Sequence, residues 1–475
     1  MRAMRACPLP RAAAVAALAL LAVVAPLALT ALDPAVLSNS YGRGSARFEL
    51  FSAFASLAAG IAAALELRAR RGRPAAELVP VVAPLLVTLL YAFLIGEYSR
   101  KPFDYDCYEY AGRAILLGED PYVVGLIYLY PPLTGQSMAL AHRTLAWVAE
   151  LSGTAPDPEA IWGTVFYLFQ CAQLGLILLL YALGTRFARA LGMQATRAAA
   201  TVAVLLLVDN PLLRTLRHGQ VNLWILDLAL LAILFARRIP VLAGFALALS
   251  IHVKLYPLVL LLPLALARCW RAVAWTAAGC VLIVLAQTDL GRDWTPWLQF
   301  ADFYSRVYPG EVAFRNSSFH SVAFNTLRFL FDLPPGSLRA PVRFAASAFS
   351  LAMALWLLLR TLARERAGAP APDRLLANAA DALAFSLLIS QSVWEHHFLF
   401  ALPLVILAIA AKWRERPLTV AVCVFLVLGM PTFDLFPLSY HRAAGLLGLL
   451  AVTRPSRSPA RADQQPMGCI SADPP

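Results

Sequence analysis

The chain has 475 residues, of which 60% are hydrophobic and only 14% charged, and it carries a net charge of +12. This composition excludes a set of soluble domains, because so apolar a chain cannot fold as an ordinary soluble protein in water. It predicts one membrane domain. The basic residues stand in short clusters between apolar runs and not along a stripe with stacking aromatics, which excludes nucleic-acid binding and indicates cytoplasmic loops under the positive-inside rule.

The N-terminus carries a basic segment followed by an apolar run, for which we predict a span at 13–32. We interpret this run as an uncleaved first span and not as a signal peptide, because its length matches the roughly 20 residues of a full membrane crossing. Apolar runs at 48–66 and 78–97 predict two further spans, so residues 1–98 form an N-terminal group of transmembrane helices.

The larger membrane region covers residues 99–455 and begins with an outer loop over 99–158, and residues 456–475 are expected to form a disordered cytoplasmic tail. Several predicted spans in this region are shorter than the roughly 20 residues of a crossing. Such helices exist at membrane depth only where protein or a water-filled cavity covers their ends, so we expect a cavity open to the outside. The spans are predicted at 160–184, 197–209, 221–236, 239–252, 256–268, 272–288, 341–360, 376–391, 397–411, 417–431 and 441–453.

The stretch 131–150 is moderately apolar but contains Gln136, His142 and Arg143. If it crossed the membrane once, the basic cluster at 186–197 would lie on the wrong face. We therefore expect this stretch to be interfacial or re-entrant.

Polar residues from five separate segments fall on the outer face in this topology. An ionisable side chain near hydrocarbon costs on the order of 2.5–3.5 kcal/mol at a helix centre, so these residues are expected to face one cavity and to have partners there. A carboxylate in such a cavity can serve as a general base, and the cations suit a phosphate. The five segments are 101–109, 217–222, 252–256, 315–320 and 394–397.

Each candidate also has an ordinary structural explanation. Asp104 stands at the start of a predicted helix and could cap it, whereas Asp106 and Glu109 are expected to be solvated. Lys254 lies at a helix-to-helix turn and could extend to water from a short span. The pair His396-His397 stands at a predicted helix start and could simply hydrogen-bond at the interface.

The first outer loop contains an ordered pattern in which Asp104 is followed by Tyr108, Ala111 and Gly118, and then by Asp120-Pro121-Tyr122 and Tyr130-Pro131-Pro132. With this pattern the chain resembles glycosyltransferase family 87. Two features depart from the family: Glu395 stands where aspartate is expected, and two extra spans precede Asp104. Further matches, in family order up to about residue 400, are Gly219-Gln220-Val221-Asn222, Lys254-Leu255-Tyr256-Pro257, Asn316-Ser317-Ser318 and Trp394-Glu395-His396-His397.

The resemblance implies a GT-C fold, an all-α polytopic membrane bundle of about 13–14 transmembrane helices with outer-face loops and juxtamembrane helices. It further implies transfer of a hexose, with mannose as the expected sugar, from a polyprenyl-phosphate donor to a glycolipid or polysaccharide hydroxyl on the extracytoplasmic face of the cell membrane. Asp104 is the expected general base of an inverting reaction. The expected substrate contacts are Tyr130, Arg217, Gln220, Asn222, Lys254, Tyr256, Asn316, His396 and His397.

No cofactor is expected, because no Walker loop or dinucleotide-type GxGxxG precedes a predicted helix. The pair Asp104-x-Asp106 resembles a metal-holding DxD, since hard cations accept carboxylate oxygens. The basic residues could stabilise a leaving monophosphate without a metal, however, so we expect none. The cysteines are scattered singly and show no zinc spacing.

Two other functions remain open from the sequence. A secondary transporter or flippase for lipid-linked sugars is one, since broken helices and intramembrane charges also mark substrate pathways, although no internal repeat is visible. The other is a GT-C enzyme for a different sugar, such as arabinose or glucose, because the sequence does not separate one hexose from another.

Overall fold

The computed structural model describes residues 101–123, 128–155, 157–307, 316–332, 334–366, 371–390, 392–430 and 436–455. Every regular element in these ranges is helical, which confirms the all-α class. The predicted spans at 13–32, 48–66 and 78–97 and the predicted tail at 456–475 lie outside the described residues.

Sixteen α-helices are numbered here in chain order within the described ranges. The first nine are α1 Phe103–Leu117, α2 Pro132–Leu151, α3 Pro158–Ala190, α4 Ala195–Val208, α5 Asn210–Arg217, α6 Asn222–Phe235, α7 Pro240–Val253, α8 Leu261–Leu266 and α9 Trp270–Gln287. The others are α10 Thr295–Val307, α11 Phe319–Phe331, α12 Pro335–Arg366, α13 Ala371–Ile389, α14 Leu402–Lys412, α15 Pro417–Val424 and α16 His441–Val452. Short 3-10 helices at Tyr256–Leu260, Glu395–Ala401 and Leu438–Tyr440 and a π turn at Phe425–Gly429 join them.

Proline and aspartate set several of the helix starts. α2, α3, α7 and α15 each begin at a proline, whose missing N–H would have had no partner in the first turn. Between α4 and α5 the chain bends by 56° at Asp209, whose carboxylate accepts the backbone N–H of Leu212 at 2.9 Å. This break turns α5 toward the segment that supplies much of the site described below.

Four helical segments are long and apolar enough to cross a membrane: α3, α9, the part of α12 from Ala340 to Arg366, and Glu395–Lys412. The bent pair α4–α5 would make a fifth, and five shorter apolar segments accompany them in the described residues. The polytopic membrane class and the presence of half-length helices are thereby confirmed. The total of 13–14 spans stays a prediction, since part of the chain that it counts is not described.

α6, α7 and α9 pack side by side, with α7 in contact with both of the others. Apart from Asn222 and Asp227, α6 is apolar on all sides, and it buries Leu223, Ile225 and Leu226 completely, as expected of a helix covered on every side. Gly244 of α7 lies so close to α9 that a Cβ there would meet the backbone nitrogen of Thr276 at 2.7 Å. Small residues of this kind let membrane helices pack at short range.

The stretch 131–150 forms α2, a single continuous helix of 20 residues. The re-entrant interpretation is therefore wrong, since a re-entrant segment reverses direction within the membrane. α2 packs against α1 and is not among the segments apolar enough to cross a membrane. Its interfacial position stays a prediction.

A buried ion cluster joins α12, α13 and α16 away from the polar segments of the site. Asp381 accepts two hydrogen bonds from Arg360, at 2.6 and 3.1 Å, and an ion pair from Arg364 at 2.7 Å. Arg360 also donates to the Leu450 carbonyl and the Thr453 hydroxyl, at 2.7 and 2.8 Å. One carboxylate thus pairs with two buried guanidinium groups, and the cluster ties three helices together.

Candidate active site

Asp104 lies in the first turn of α1, with Pro102 at the N-cap position and no side chain capping the helix. The N-cap explanation for Asp104 is therefore wrong. The segment 218–222 packs directly against this turn, because Gly219 has a φ of +65° and a Cβ there would lie 2.8 Å from the Pro102 ring. Only glycine combines that backbone conformation with so close an approach.

Gln220 is placed to orient Asp104. Its side-chain oxygen accepts hydrogen bonds from Tyr130 at 2.5 Å and from Tyr108 at 3.4 Å. The amide nitrogen is thus left to face Asp104, with which the Gln220 side chain forms a hydrogen bond. Gln173 of α3 holds the Gln220 backbone carbonyl at 2.9 Å. Tyr108 and Gln173 were not among the predicted site residues.

The pKa of the Asp104 carboxyl is raised toward neutral pH. Its side chain keeps 23% of its surface exposed, and burial of the rest raises its pKa to about 6, an effect that the Gln220 hydrogen bond and the charge of Lys254 partly offset. A general base works best when its pKa lies near the working pH. The raised pKa of Asp104 fits the predicted general base, and that role stays a prediction.

Lys254 follows α7 in extended backbone and points into the same space. Its Nζ lies 3.2 Å from the Asn222 Oδ1 and 2.7 Å from the His397 Nε2, and the rings of Tyr130 and Tyr256 lie 5.3 and 5.5 Å away. The explanation that Lys254 extends to open water is therefore wrong. Burial lowers the pKa of the Lys254 ammonium to about 7, partly offset by the charge of Asp104.

The 3-10 helix Glu395–Ala401 brings its two histidines to Lys254. The His397 ring is locked at the start of this helix, because its Nδ1 accepts the backbone N–H of Trp394 at 3.1 Å. Tyr256 anchors the same segment through a 2.6 Å hydrogen bond to the Ser392 carbonyl. The His396 ring lies 4.4 Å from that of His397, and the His396 carbonyl accepts from Asn222 at 3.4 Å.

Glu395 is held by an arginine that the sequence analysis did not single out. Its carboxylate lies 3.1 Å from the Nε of Arg214 on α5, and both side chains are almost fully buried. His218 stands between the two carboxylates of the site, 3.7 Å from Asp104 and 4.0 Å from Glu395. Arg217, the predicted phosphate contact, lies half-buried one turn after Arg214, and its role stays a prediction. A buried Glu395 needs a cation as partner, and Arg214 supplies it.

Asn316 forms hydrogen bonds with the backbone next to the site. Its side-chain oxygen accepts the N–H groups of Val393 at 2.9 Å and of Ser318 at 3.1 Å, while the Ser317 N–H reaches the Val393 carbonyl at 2.7 Å. These bonds fix the segment that leads into Glu395–Ala401. A direct substrate contact by Asn316 stays a prediction.

Glu109 is not solvated as expected. It is only 5% exposed and pairs with Lys101 and Arg113, each at 2.7 Å. Arg113 also pairs with Glu159 of α3 and lies over the Trp162 ring. Glu109 therefore belongs to a network that joins α1 to α3.

Neither the geometry nor the donor set suggests a metal centre in the part of the chain that the structure describes. No group of three or more histidine, cysteine, aspartate or glutamate side chains there could hold an ion.

The sequence model of glycosyltransferase family 87 matches residues 128–390, which is more than half of the chain. No solved structure matches significantly.

Two curated relatives are both named polyprenol-phosphate-mannose-dependent alpha-(1-2)-phosphatidylinositol mannoside mannosyltransferase. The chain is 27% identical to the one from Mycolicibacterium smegmatis over 373 residues, which cover 74% of this chain and 81% of the relative. It is 31% identical to the one from Mycobacterium tuberculosis over 217 residues, which cover 45% of this chain and 46% of the relative. The chain thus belongs to glycosyltransferase family 87 and is a membrane glycosyltransferase.

Proposed function

We propose that this protein transfers mannose from a polyprenyl-phosphate donor to a hydroxyl of a phosphatidylinositol mannoside. One observation carries the proposal: the Asp104 carboxylate, with its raised pKa, and the part-buried amine of Lys254 face one space whose walls come from Tyr130, Gln220 and His397. The names of the two relatives supply the donor and acceptor classes. Family membership favours transfer over the transporter or flippase alternative.

Asp104 is the proposed general base. The acceptor hydroxyl attacks the anomeric carbon of the sugar, and its proton passes to the Asp104 carboxylate as the new C–O bond forms. The bond between the anomeric carbon and the phosphate oxygen breaks at the same time, so the configuration inverts and polyprenyl phosphate leaves. Gln220 holds the carboxylate for this step through the hydrogen bond described above.

Lys254 is the proposed contact of the donor phosphate. As the sugar departs, negative charge grows on the leaving phosphate, and a cation already in place stabilises the transition state more than the bound donor. Asn222, Tyr256 and His397 hold Lys254 in position. The apolar short helices beside this space allow the polyprenyl chain to remain in lipid while its phosphate reaches the site.

The direct test of the proposed function is a donor panel. The purified protein is incubated with phosphatidylinositol mannoside and, in separate reactions, with polyprenyl-phosphate mannose, glucose and arabinose. We expect mass spectrometry to find one added hexose from the mannose donor. Efficient transfer of arabinose or glucose instead would support the GT-C enzyme for another sugar, and no transfer from any donor would overturn the proposal.

The rate of transfer should depend on pH through Asp104. A protonated carboxyl cannot accept the hydroxyl proton, so kcat/KM should rise with pH through about 6, the pKa to which burial raises this group. An ordinary aspartate would give this rise near pH 4. A pH profile in detergent measures it, with Asp106→Asn as a control that should keep the same rise. A profile that is flat between pH 5 and 7 would contradict Asp104 as the base.

Loss of the Lys254 side chain should weaken use of the donor. A hydrogen bond to a charged group contributes about 1.5–3 kcal/mol, so Lys254→Ala should lower kcat/KM for the lipid-linked donor by about 10- to 150-fold. Lys412→Ala is the matched control, since that lysine pairs with Glu415 at the end of α14. Unchanged donor kinetics in Lys254→Ala would remove the phosphate contact from the proposal.

We also propose that the site opens on the extracytoplasmic face of the cell membrane. The variant Glu119→Cys, at an exposed position just after α1, should then react with an impermeant thiol reagent added to intact cells. The variant Arg238→Cys, at an exposed position between α6 and α7, should react only after the membrane is opened. Labelling above that of the parent chain is measured for each. The reverse pattern would place the site on the cytoplasmic side.

A further inference from the structure

The contact between His397 and Lys254 fixes where their protons lie. The ring Nδ1 of His397 accepts a hydrogen bond from the backbone N–H of Trp394 at 3.1 Å. The backbone N–H of His397 in turn donates to the Trp394 carbonyl at 3.0 Å. A ring nitrogen that accepts a hydrogen bond carries no proton, and a neutral imidazole has one, so the proton of His397 lies on Nε2.

That proton points at Lys254. The Nε2 of His397 and the Nζ of Lys254 are 2.7 Å apart, a hydrogen-bond distance. An ammonium group has three donors and no acceptor, so two N–H groups would face each other if Lys254 were charged. A neutral amine accepts the Nε2 proton through its lone pair and still donates to the Asn222 Oδ1 at 3.2 Å.

The effects of the surroundings on the charge of Lys254 nearly balance, so the neutral amine can be reached. Asp104 of α1 is the charged neighbour and favours the ammonium, while burial disfavours it, so the pKa of Lys254 falls to about 7. The other titratable groups facing it are His396 and His397, together with the rings of Tyr130 and Tyr256. A nearby anion would therefore be enough to protonate Lys254 and restore its positive charge.

We infer that His397 is a positioning residue that holds Lys254 as a neutral amine, and that binding of the lipid-linked donor, on the function proposed above, adds one proton to Lys254. A buffer acid or hydronium ion in the solvent gives up this proton, which forms an N–H bond with the lone pair of Nζ, and no other covalent bond changes. The phosphate oxygens then accept from both the new ammonium and the Nε2–H of His397, in place of the contact between those two groups.

Calorimetry can count this proton. A short-chain polyprenyl-phosphate mannose is titrated into the full-length protein without acceptor, in three buffers with different ionisation enthalpies. Because the pKa of Lys254 is about 7, uptake should be close to one proton per donor at pH 8 and close to none at pH 6. The Nδ1 of His397 also lies 3.2 Å from the Tyr256 hydroxyl. The other tautomer, which directs the His397 proton at that hydroxyl, leaves Lys254 charged and predicts equal heats in all three buffers.

Three variants test whether Lys254 is the group that takes up the proton. Lys254→Arg keeps a permanent charge, so it should bind the donor without uptake. His397→Ala removes the Nε2–H, so uptake should begin only at higher pH, a change that loss of structure alone would not produce. Asp104→Asn should keep the uptake and move it to lower pH, because a favourable negative charge is gone.

Donor binding with equal heats at pH 8, or full uptake in Lys254→Arg, would overturn the inference and leave the proposed function standing. No donor binding at any pH would instead contradict the proposed function itself.

Discussion

Asp104→Asn should slow sugar transfer by about 100- to 10,000-fold, which is the usual cost of losing a general base. Asparagine keeps the shape of the side chain and can still accept the hydrogen bond from Gln220, but it cannot take the hydroxyl proton. Because α1 is not capped by Asp104, the helix should form as before. Single-turnover transfer measured with saturating donor and acceptor reports the loss directly.

Asp106→Asn is the matched control for this change. It lies two residues later on α1 and is part-exposed, so the variant should retain most of the activity. Near-normal transfer by Asp104→Asn together with an inactive Asp106→Asn would show that the base has been assigned to the wrong carboxylate.

Asp381→Ala should lower the free energy of unfolding by about 3–5 kcal/mol, because it leaves buried cations without their counter-charge. Arg360 and Arg364 are only 4% and 8% exposed and share this one carboxylate. Denaturant or thermal unfolding in detergent measures the loss.

The control for this change is Asp302→Ala on α10, where an exposed carboxylate pairs with Arg306. An exposed pair contributes little, so stability should hardly change. Asp381 lies about 12 Å along α13 from its end at Ile389, so the molecules of Asp381→Ala that remain folded should transfer sugar at the normal rate. Equal destabilisation by the two variants would contradict the role of the buried cluster.

The helices could be predicted from the sequence because their signals are local. The span predicted at 239–252 is α7 Pro240–Val253, and the span predicted at 272–288 is α9 Trp270–Gln287. Apolar length and a proline at the first turn define such boundaries without knowledge of the rest of the chain. Helix α2 was harder to predict, since its polar residues fit both an interfacial helix and a re-entrant loop.

The meeting of the polar segments was also predictable, because the predicted alternation of the spans across the membrane puts these segments on the same side. Asp104, Gln220, Lys254 and His397 come from four distant segments and lie within one connected set of contacts. Their chemical roles stay predictions, since proximity does not show which group binds the donor.

The partners of buried charges could not be predicted, because they depend on contacts between distant helices. Arg214 and Glu395 are 181 positions apart, and only the fold shows that they pair. The error at Glu109 had a different cause, since its partner Arg113 is four residues later on the same helix. That spacing places two side chains on one helix face and was visible in the sequence.

The anomeric configuration of the product tests the central claim most directly. The protein is supplied with polyprenyl-phosphate mannose in the β configuration and with phosphatidylinositol mannoside, and the new linkage is assigned by NMR. Attack from the face opposite the phosphate, with Asp104 taking the proton, predicts an α-linked mannose. A β-linked product would require two displacements, and it would contradict both direct transfer and the role given to Asp104.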